Sequence, residues 1–234
     1  MEKVNKRKIY VAHDIEKAGC KIMAYPVVSV GFVVADDIDI ISKHKFNILV
    51  KWYTTITPHA QPPLTPQHMP QNNDAIAGQD ALLTVSDYGD FEKKTVDEFW
   101  NRVPIDTQEL RINAKPPSEA WADIAEFIDN LETEYPDAEI IFLTDNNSFD
   151  TANIDYNLEL YTKRQPMRFS TTGAYRKVLN ADDMFAMIPD FEQERVKKEI
   201  CDHVPGNHDP VNDAHYIYEQ YIYAQLWRGS HHEF

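Results

Sequence analysis

The distribution of apolar residues changes character several times along the chain. Residues 8–12 (Lys-Ile-Tyr-Val-Ala), 25–35 and 38–52 are rich in Val, Ile, Phe and Tyr, side chains that suit a pleated, half-buried surface. They predict three consecutive strands, antiparallel to one another. From residue 53 to 88 the pattern collapses: Pro58, Pro62, Pro63, Pro66 and Pro70 stand among Gln, Asn and His, and neither a strand period nor a helix period survives. A Pro-rich insertion at about 53–90 is the reading, and segments of that kind in compact domains serve as lids or stay partly disordered.

Residues 95–103 predict a short helix presenting Phe99, Trp100 and Val103 and stopped by Pro104. The clearest helix follows Pro116 and Pro117. Ser118 is its expected N-cap, and Trp121, Ile124, Ala125, Ile128 and Leu131 recur at helical spacing on one face. Residues 139–144 (Glu-Ile-Ile-Phe-Leu-Thr) form the near-continuous apolar run of a central strand covered on both sides. A helix over 148–161, a short strand over 168–172, helices over 182–187 and 192–200, and a closing helix over 212–227 complete the prediction. Strands first, then strands alternating with helices, predict an α/β fold with a mixed sheet and helices packed on it. We expect a single domain over 1–228. The tail 229–234, with its Gly-Ser-His-His, resembles a tag remnant as much as native sequence and is set aside.

With 234 residues the chain can bury a substantial core in one domain. Its apolar runs fall far short of the roughly 20 residues that a membrane span needs. The charged N-terminus leads straight into a strand without a signal-like apolar stretch. Cys20 and Cys201 are too few for a disulfide scaffold, so reduced thiols in an intracellular, cytoplasmic protein are expected. The net charge of −15 argues against a protein that coats nucleic acid. It does not exclude an enzyme, because carboxylates recruit divalent cations, and a bound cation reverses the field that a phosphate feels.

Three short elements carry the chemistry. His13-Asp14-Ile15-Glu16 follows the first strand, and strand alternation points both carboxylates to one side with Ile15 turned away. Two like charges side by side suit a hard cation held through carboxylate oxygens. Asp145-Asn146-Asn147-Ser148-Phe149-Asp150 places Asp150 just past the end of the central strand, where sites in open α/β sheets lie. Taken alone, this element reads better as a helix start, with Ser148 or Asp145 as the N-cap and Asp150 complementing the helix dipole. His208-Asp209-Pro210-Val211-Asn212-Asp213 precedes the closing helix, and a histidine is the side chain suited to take a proton from water near neutral pH.

In this order and at these positions the three elements resemble the motifs of the DEDDh 3′→5′ exonuclease family. Asp14 and Glu16 match its Asp-x-Glu, and Gly19 fits the longer form Asp-x-Glu-x-x-Gly. Residues 145–150 match His-Asn-x-x-Phe-Asp, with Asp145 in place of the usual His. His208 and Asp213 match His, four residues, Asp. His203 with Asp209 is a competing pair, one residue too long for the pattern.

That resemblance implies a ribonuclease-H-like mixed five-stranded sheet, three antiparallel strands followed by parallel ones, flanked by helices. It implies two divalent ions, Mg²⁺ or Mn²⁺, held by Asp14, Glu16, Asp150 and Asp213 roughly 3.5–4 Å apart, with His208 as general base. The implied substrate is single-stranded or 3′-ended DNA or RNA, and the implied product a 5′-mononucleotide. Lys17, Ala18, Phe149, Arg164 and Arg168 are the expected substrate contacts; the two arginines lie, with Lys163, Arg176 and Lys177, in the most basic window of the chain, which reads equally as a solvated surface. No membrane partner is expected, and the oligomeric state is open, a homodimer included. Two other readings compete: a catalytically silent nucleic-acid-binding or interaction module on the same fold, and a zinc hydrolase using His203, His208 and His215.

Overall fold

The computed structural model of the chain describes residues 6–19, 25–36, 47–56, 92–95, 114–205 and 208–231. Its centre is a five-stranded sheet in the order β3-β2-β1-β4-β5, built from β1 (Lys8–Lys17), β2 (Val27–Asp36), β3 (Asn47–Thr55), β4 (Glu139–Thr144) and β5 (Lys177–Asn180). β1 pairs antiparallel with β2 and parallel with β4, β2 pairs antiparallel with β3, and β5 runs parallel to β4. The predicted α/β, ribonuclease-H-like sheet is therefore the one observed.

Side-chain alternation sorts the sheet into two apolar faces. Ile9, Val11, Ile15, Val30, Phe32, Ile140 and Phe142 face one way, against α1 (Pro117–Glu134) and α2 (Ala152–Thr162). Tyr10, Ala12, Val33, Ala35, Ile141 and Leu143 face the other, against α3 (Ala181–Phe185) and α5 (Pro210–His231). α4 (Asp190–Cys201) closes a smaller core of Phe185, Ile188, Val196, Ile200, Val204 and Ala224. Because both faces are covered, every residue of β2 is buried, which is why its sequence reads as an unbroken apolar run.

Several predicted boundaries move. β1 extends through the carboxylates to Lys17, and β3 runs to Thr55, into the start of the predicted insertion. Ile56 then bridges to Lys115. The remainder of 53–90 lies outside the described residues, as do 38–46 of the third predicted strand and 96–103 of the predicted short helix; Lys93–Thr95 form a single helical turn.

α1 buries Trp121, Ile124, Ile128 and Leu131 as expected, but its N-cap is Pro116 with Pro117 at the first position, not Ser118, and no side chain caps it. Proline fits there because its missing N–H has no helical partner to lose. The fifth strand is not 168–172. Those residues enter a tight reversal in which Ser170 O accepts from Gly173 N, Gly173 takes φ +80°, and Phe169 bridges to Tyr175. A Ser-Thr-Thr-Gly run is turn chemistry, and the pairing partner of β4 is the shorter Val178-Leu179 beyond it.

The closing helix begins at Pro210, two residues earlier than predicted. Asp209 caps it, its Oδ1 accepting from Val211 N at 2.9 Å and Asn212 N at 3.1 Å. The helix continues through His231, into the stretch set aside as a tail.

One contact decides how close α5 comes to the sheet. Gly31 lies opposite Asp14 on β2, and a Cβ there would stand 2.3 Å from the Pro210 carbonyl carbon and 2.5 Å from Val211 N. The backbone of the first helical turn thus rests on bare backbone of the strand. Gly31→Ala should cost about 1–3 kcal/mol by overpacking, measured by denaturant unfolding. Gly229→Ala, with nothing within 4 Å of the added Cβ, should leave stability unchanged or slightly raised.

Candidate active site

Four segments bring their side chains to one cleft at the carboxyl ends of β1 and β4. β1 contributes Asp14 and Glu16 on the face opposite Ile15. β4 ends at Thr144, whose Oγ1 donates to Asp150 Oδ2 at 3.0 Å and so fixes the carboxylate that follows. Asp150 is carried on a π-turn (Asn147–Thr151), an opening of the helical ladder that recurs at functional sites. α5 contributes Asp213 from its first turn. His208 sits just before it at φ 54°, in the left-handed region that histidine tolerates better than most residues.

The cleft holds about 780 Å³ and is lined by seven carboxylates: Asp14, Glu16, Asp145, Asp150, Asp182, Asp183 and Asp213. Lys197 is the single lysine or arginine among the described residues that line it. Two groups have ligand atoms all within 4.8 Å of one another, Glu16 with His208 and Asp213, and Asp14 with Asp145 and Asp150. All five predicted catalytic residues are therefore assembled.

The sixth member, Asp145, was visible in the sequence only as the residue standing where the motif has His. It belongs to the cluster because it directly follows β4, at the mouth of the cleft. The Asp145 and Ser148 capping reading does not hold: the N-cap is Asn146, without a side-chain cap, and Ser148 Oγ donates to Asn146 Oδ1.

Electrostatics show what this convergence costs. Burial, then the charges of Glu16, Asp150, Asp145 and Asp213, push Asp14 well above the usual carboxylate range. Burial, then Asp213 and Asp150, do the same to Glu16. Asp150 is pushed up to about 8 by burial and by Asp145, and Asp213 to about 7 by burial, Asp209 and Asp145. Glu16 is only 7% exposed. Carboxylates in this state either hold protons or share cations. The donor set, nearly all hard oxygen with one imidazole, fits divalent ions of the Mg²⁺ or Mn²⁺ type.

Other predicted contacts fall elsewhere. Phe149 lines the cleft. Lys17 is buried, its Nζ donating to Asn153 Oδ1, and Ala18 is buried with its N–H donating to Pro26 O. Arg164 is bound to Asp129, Arg168 lies 3.9 Å from Asp155, Arg176 pairs with Glu132 and Lys177 with Glu139. None of these arginines and lysines lines the cleft: the basic window holds the chain's own helices and strands together.

His203 and His215 both contact the buried Glu219, at 2.8 and 3.0 Å, while His208 faces the cleft. Among the described residues the three histidines do not form a common ligand set. That geometry removes both the zinc reading and the competing His203 pair.

The sheet order and the acidic cleft define a ribonuclease-H-like α/β protein. Comparison of structures makes the likeness particular. The chain is similar to exonuclease I at TM-score 0.55, 15% identity and 95% coverage of this chain. It matches E. coli exonuclease I in complex with a dT13 oligonucleotide at TM-score 0.55 and 15% identity over 94% of this chain. The zinc-bound complex of E. coli exonuclease I with single-stranded DNA matches at TM-score 0.53 and 13% identity over 97%. In each case the chain spans about 41% of the length of the protein it matches. No protein-family model and no curated sequence matches the chain. At this identity the likeness shows the fold.

The raised carboxyl groups set a pH dependence. A carboxyl whose folded pKa lies above its unfolded value of about 4 contributes stability that is complete below that value and lost as pH rises through the folded pKa. For Asp213 and Asp150 the window runs from about 4 to about 8. In EDTA the melting temperature should fall as pH rises across that window. Saturating Mn²⁺ should flatten the slope, and Asp14→Asn should reduce it without metal. Equal slopes with and without Mn²⁺ would count against a metal site.

Proposed function

We propose that the chain is a metal-dependent 3′→5′ exonuclease that hydrolyses the terminal phosphodiester bond of a single-stranded or 3′-ended nucleic acid and releases 5′-mononucleotides. The observation that carries this reading is the pair of adjoining ligand groups, Glu16/His208/Asp213 and Asp14/Asp145/Asp150, in one cleft on the exonuclease I fold. The neighbours' complexes with single-stranded DNA support a substrate of that class.

Asp14, Glu16, Asp150 and Asp213 would hold the ions. Bound divalent ions supply the positive charge that offsets charge building up on the attacking and leaving oxygens of a displacement at phosphorus. His208 takes the proton from the attacking water; its exposed position at the cleft rim gives both water and bulk buffer access to the ring. Asp213 and Glu16 lie beside that ring, so the ion they would hold and the water it would carry stand within its reach. Thr144 and the π-turn hold Asp150 in place through the step. Phe149, at the cleft wall, offers a ring face to a terminal base. The negative charge of the chain is consistent with this chemistry, since a terminal nucleotide gripped through cations needs no basic surface.

The test is hydrolysis of labelled DNA and RNA oligonucleotides, single and double stranded, with Mg²⁺, Mn²⁺ or EDTA. Laddered loss from the 3′ end with either ion and none in EDTA is expected. Asp14→Asn and Asp213→Asn should abolish activity. His208→Asn, which tolerates the left-handed backbone, should lower kcat on the order of 10²- to 10⁴-fold with the melting temperature kept. Wild-type rates in Asp14→Asn, free of contaminating nuclease, would contradict the proposal.

A further inference from the structure

The face of β1 turned away from the cleft carries two polar residues where the packing calls for apolar ones. His13 is fully buried between Phe32 and Phe142, at ring-centroid distances of 6.0 and 6.2 Å. Its Nε2 shares a hydrogen bond of 3.0 Å with Thr151 Oγ1. Lys17, 5% exposed, follows a break in strand register after Glu16, and its Nζ donates to Asn153 Oδ1 at 2.5 Å. Its Nζ also lies 5.5 Å from the centre of the Phe149 ring.

Thr151 and Asn153 are not arbitrary partners. Thr151 directly follows Asp150 in the π-turn, and Asn153, two residues on, is the second residue of α2. Asn153 Nδ2 donates to Phe149 O at 2.7 Å, and its own carbonyl accepts from Asn157 Nδ2 at 2.8 Å. The two side-chain ties therefore run from the strand that carries Asp14 and Glu16 to the turn that carries Asp150 and to the first turn of the helix that continues it. They bracket the two β1 carboxylates in sequence, His13 immediately before and Lys17 immediately after. What the arrangement supplies is a fixed distance between two elements whose cleft-side carboxylates repel one another.

We propose that His13 and Lys17 are positioning residues: by tying β1 to Thr151 and Asn153 from behind the sheet, they set the spacing between the Asp14–Glu16 pair and Asp150 at the ion-binding cleft. This rests on the reading of the cleft as a divalent-ion site. It departs from the sequence expectation that Lys17 contacts substrate. Groups that orient ligands in this way cost roughly 10- to 100-fold in metal affinity when removed.

The experiment is Mn²⁺ titration calorimetry on wild type, Lys17→Met, Asn153→Leu and the double variant, with melting temperatures in EDTA and steady-state kinetics on a 3′-labelled oligonucleotide. The expected result for Lys17→Met, folded by its EDTA melting transition, is Mn²⁺ affinity lower by about tenfold or more and a loss in kcat at unchanged KM. The double variant should bind Mn²⁺ no worse than Lys17→Met. If Asn153→Leu does not fold, Lys17→Met alone decides, with His13→Leu as the independent second variant. Wild-type Mn²⁺ affinity in Lys17→Met and His13→Leu would overturn the inference and leave the nuclease reading intact, as would a change confined to KM. Absence of Mn²⁺ binding to the wild type would overturn both.

Discussion

The first turn of α5 lies on the backbone of β2 at Gly31, and the site depends on that contact. Any side chain at Gly31 would meet Pro210 and Val211, lifting the helix that carries Asp213 and the bend that carries His208. Gly31 is the cross-strand partner of Asp14, so the close approach occurs directly beside the first carboxylate. The Asp209 cap and Pro210 at the helix start fix the angle of entry. Sheet, glycine and cap together place Glu16, His208 and Asp213 within ligand reach of one another.

The same closeness is electrostatically unfavourable. Burial and mutual repulsion raise Asp14, Glu16, Asp150 and Asp213, and Asp145 adds to the repulsion on each of them or on their neighbours. The rest of the fold resists the separation that this repulsion favours. Thr144 donates to Asp150 from the end of β4, and polar ties behind the sheet join β1 to the π-turn and to the first turn of α2. Among the described lysines and arginines Lys197 alone lines the cleft, on the Asp182 side, while Arg164, Arg176 and Lys177 pair with Asp129, Glu132 and Glu139. A divalent cation is the simplest relief that this arrangement leaves open.

Much of this was legible in the chain because period and order are local properties. The apolar run at 139–144 and the spacing of Trp121, Ile124, Ile128 and Leu131 announce β4 and α1 directly. Asp14, Glu16, Asp150, His208 and Asp213 were legible through motif order, since no one of those segments differs from a helix cap or a polar loop by itself. The misses have physical causes. β5 was hidden because two apolar residues between Lys177 and Asn180 give no period, while the turn at Ser170–Gly173 offered β-branched residues in its place. Arg164 and Arg168 read as substrate contacts because sequence shows charge but not its partner. Asp145 and the buried roles of His13 and Lys17 depend on what lies across the sheet, which spacing along one strand does not encode.

The central claim is that the carboxylates are held together for cations rather than for protons. Anomalous diffraction from crystals grown with Mn²⁺ and a short single-stranded oligonucleotide tests it most directly. The account predicts manganese peaks in the cleft, one touching the Glu16/Asp213 side and one the Asp14/Asp150 side, with a 3′-terminal phosphodiester against them. An empty cleft at saturating Mn²⁺, with the oligonucleotide bound elsewhere or not at all, would contradict it.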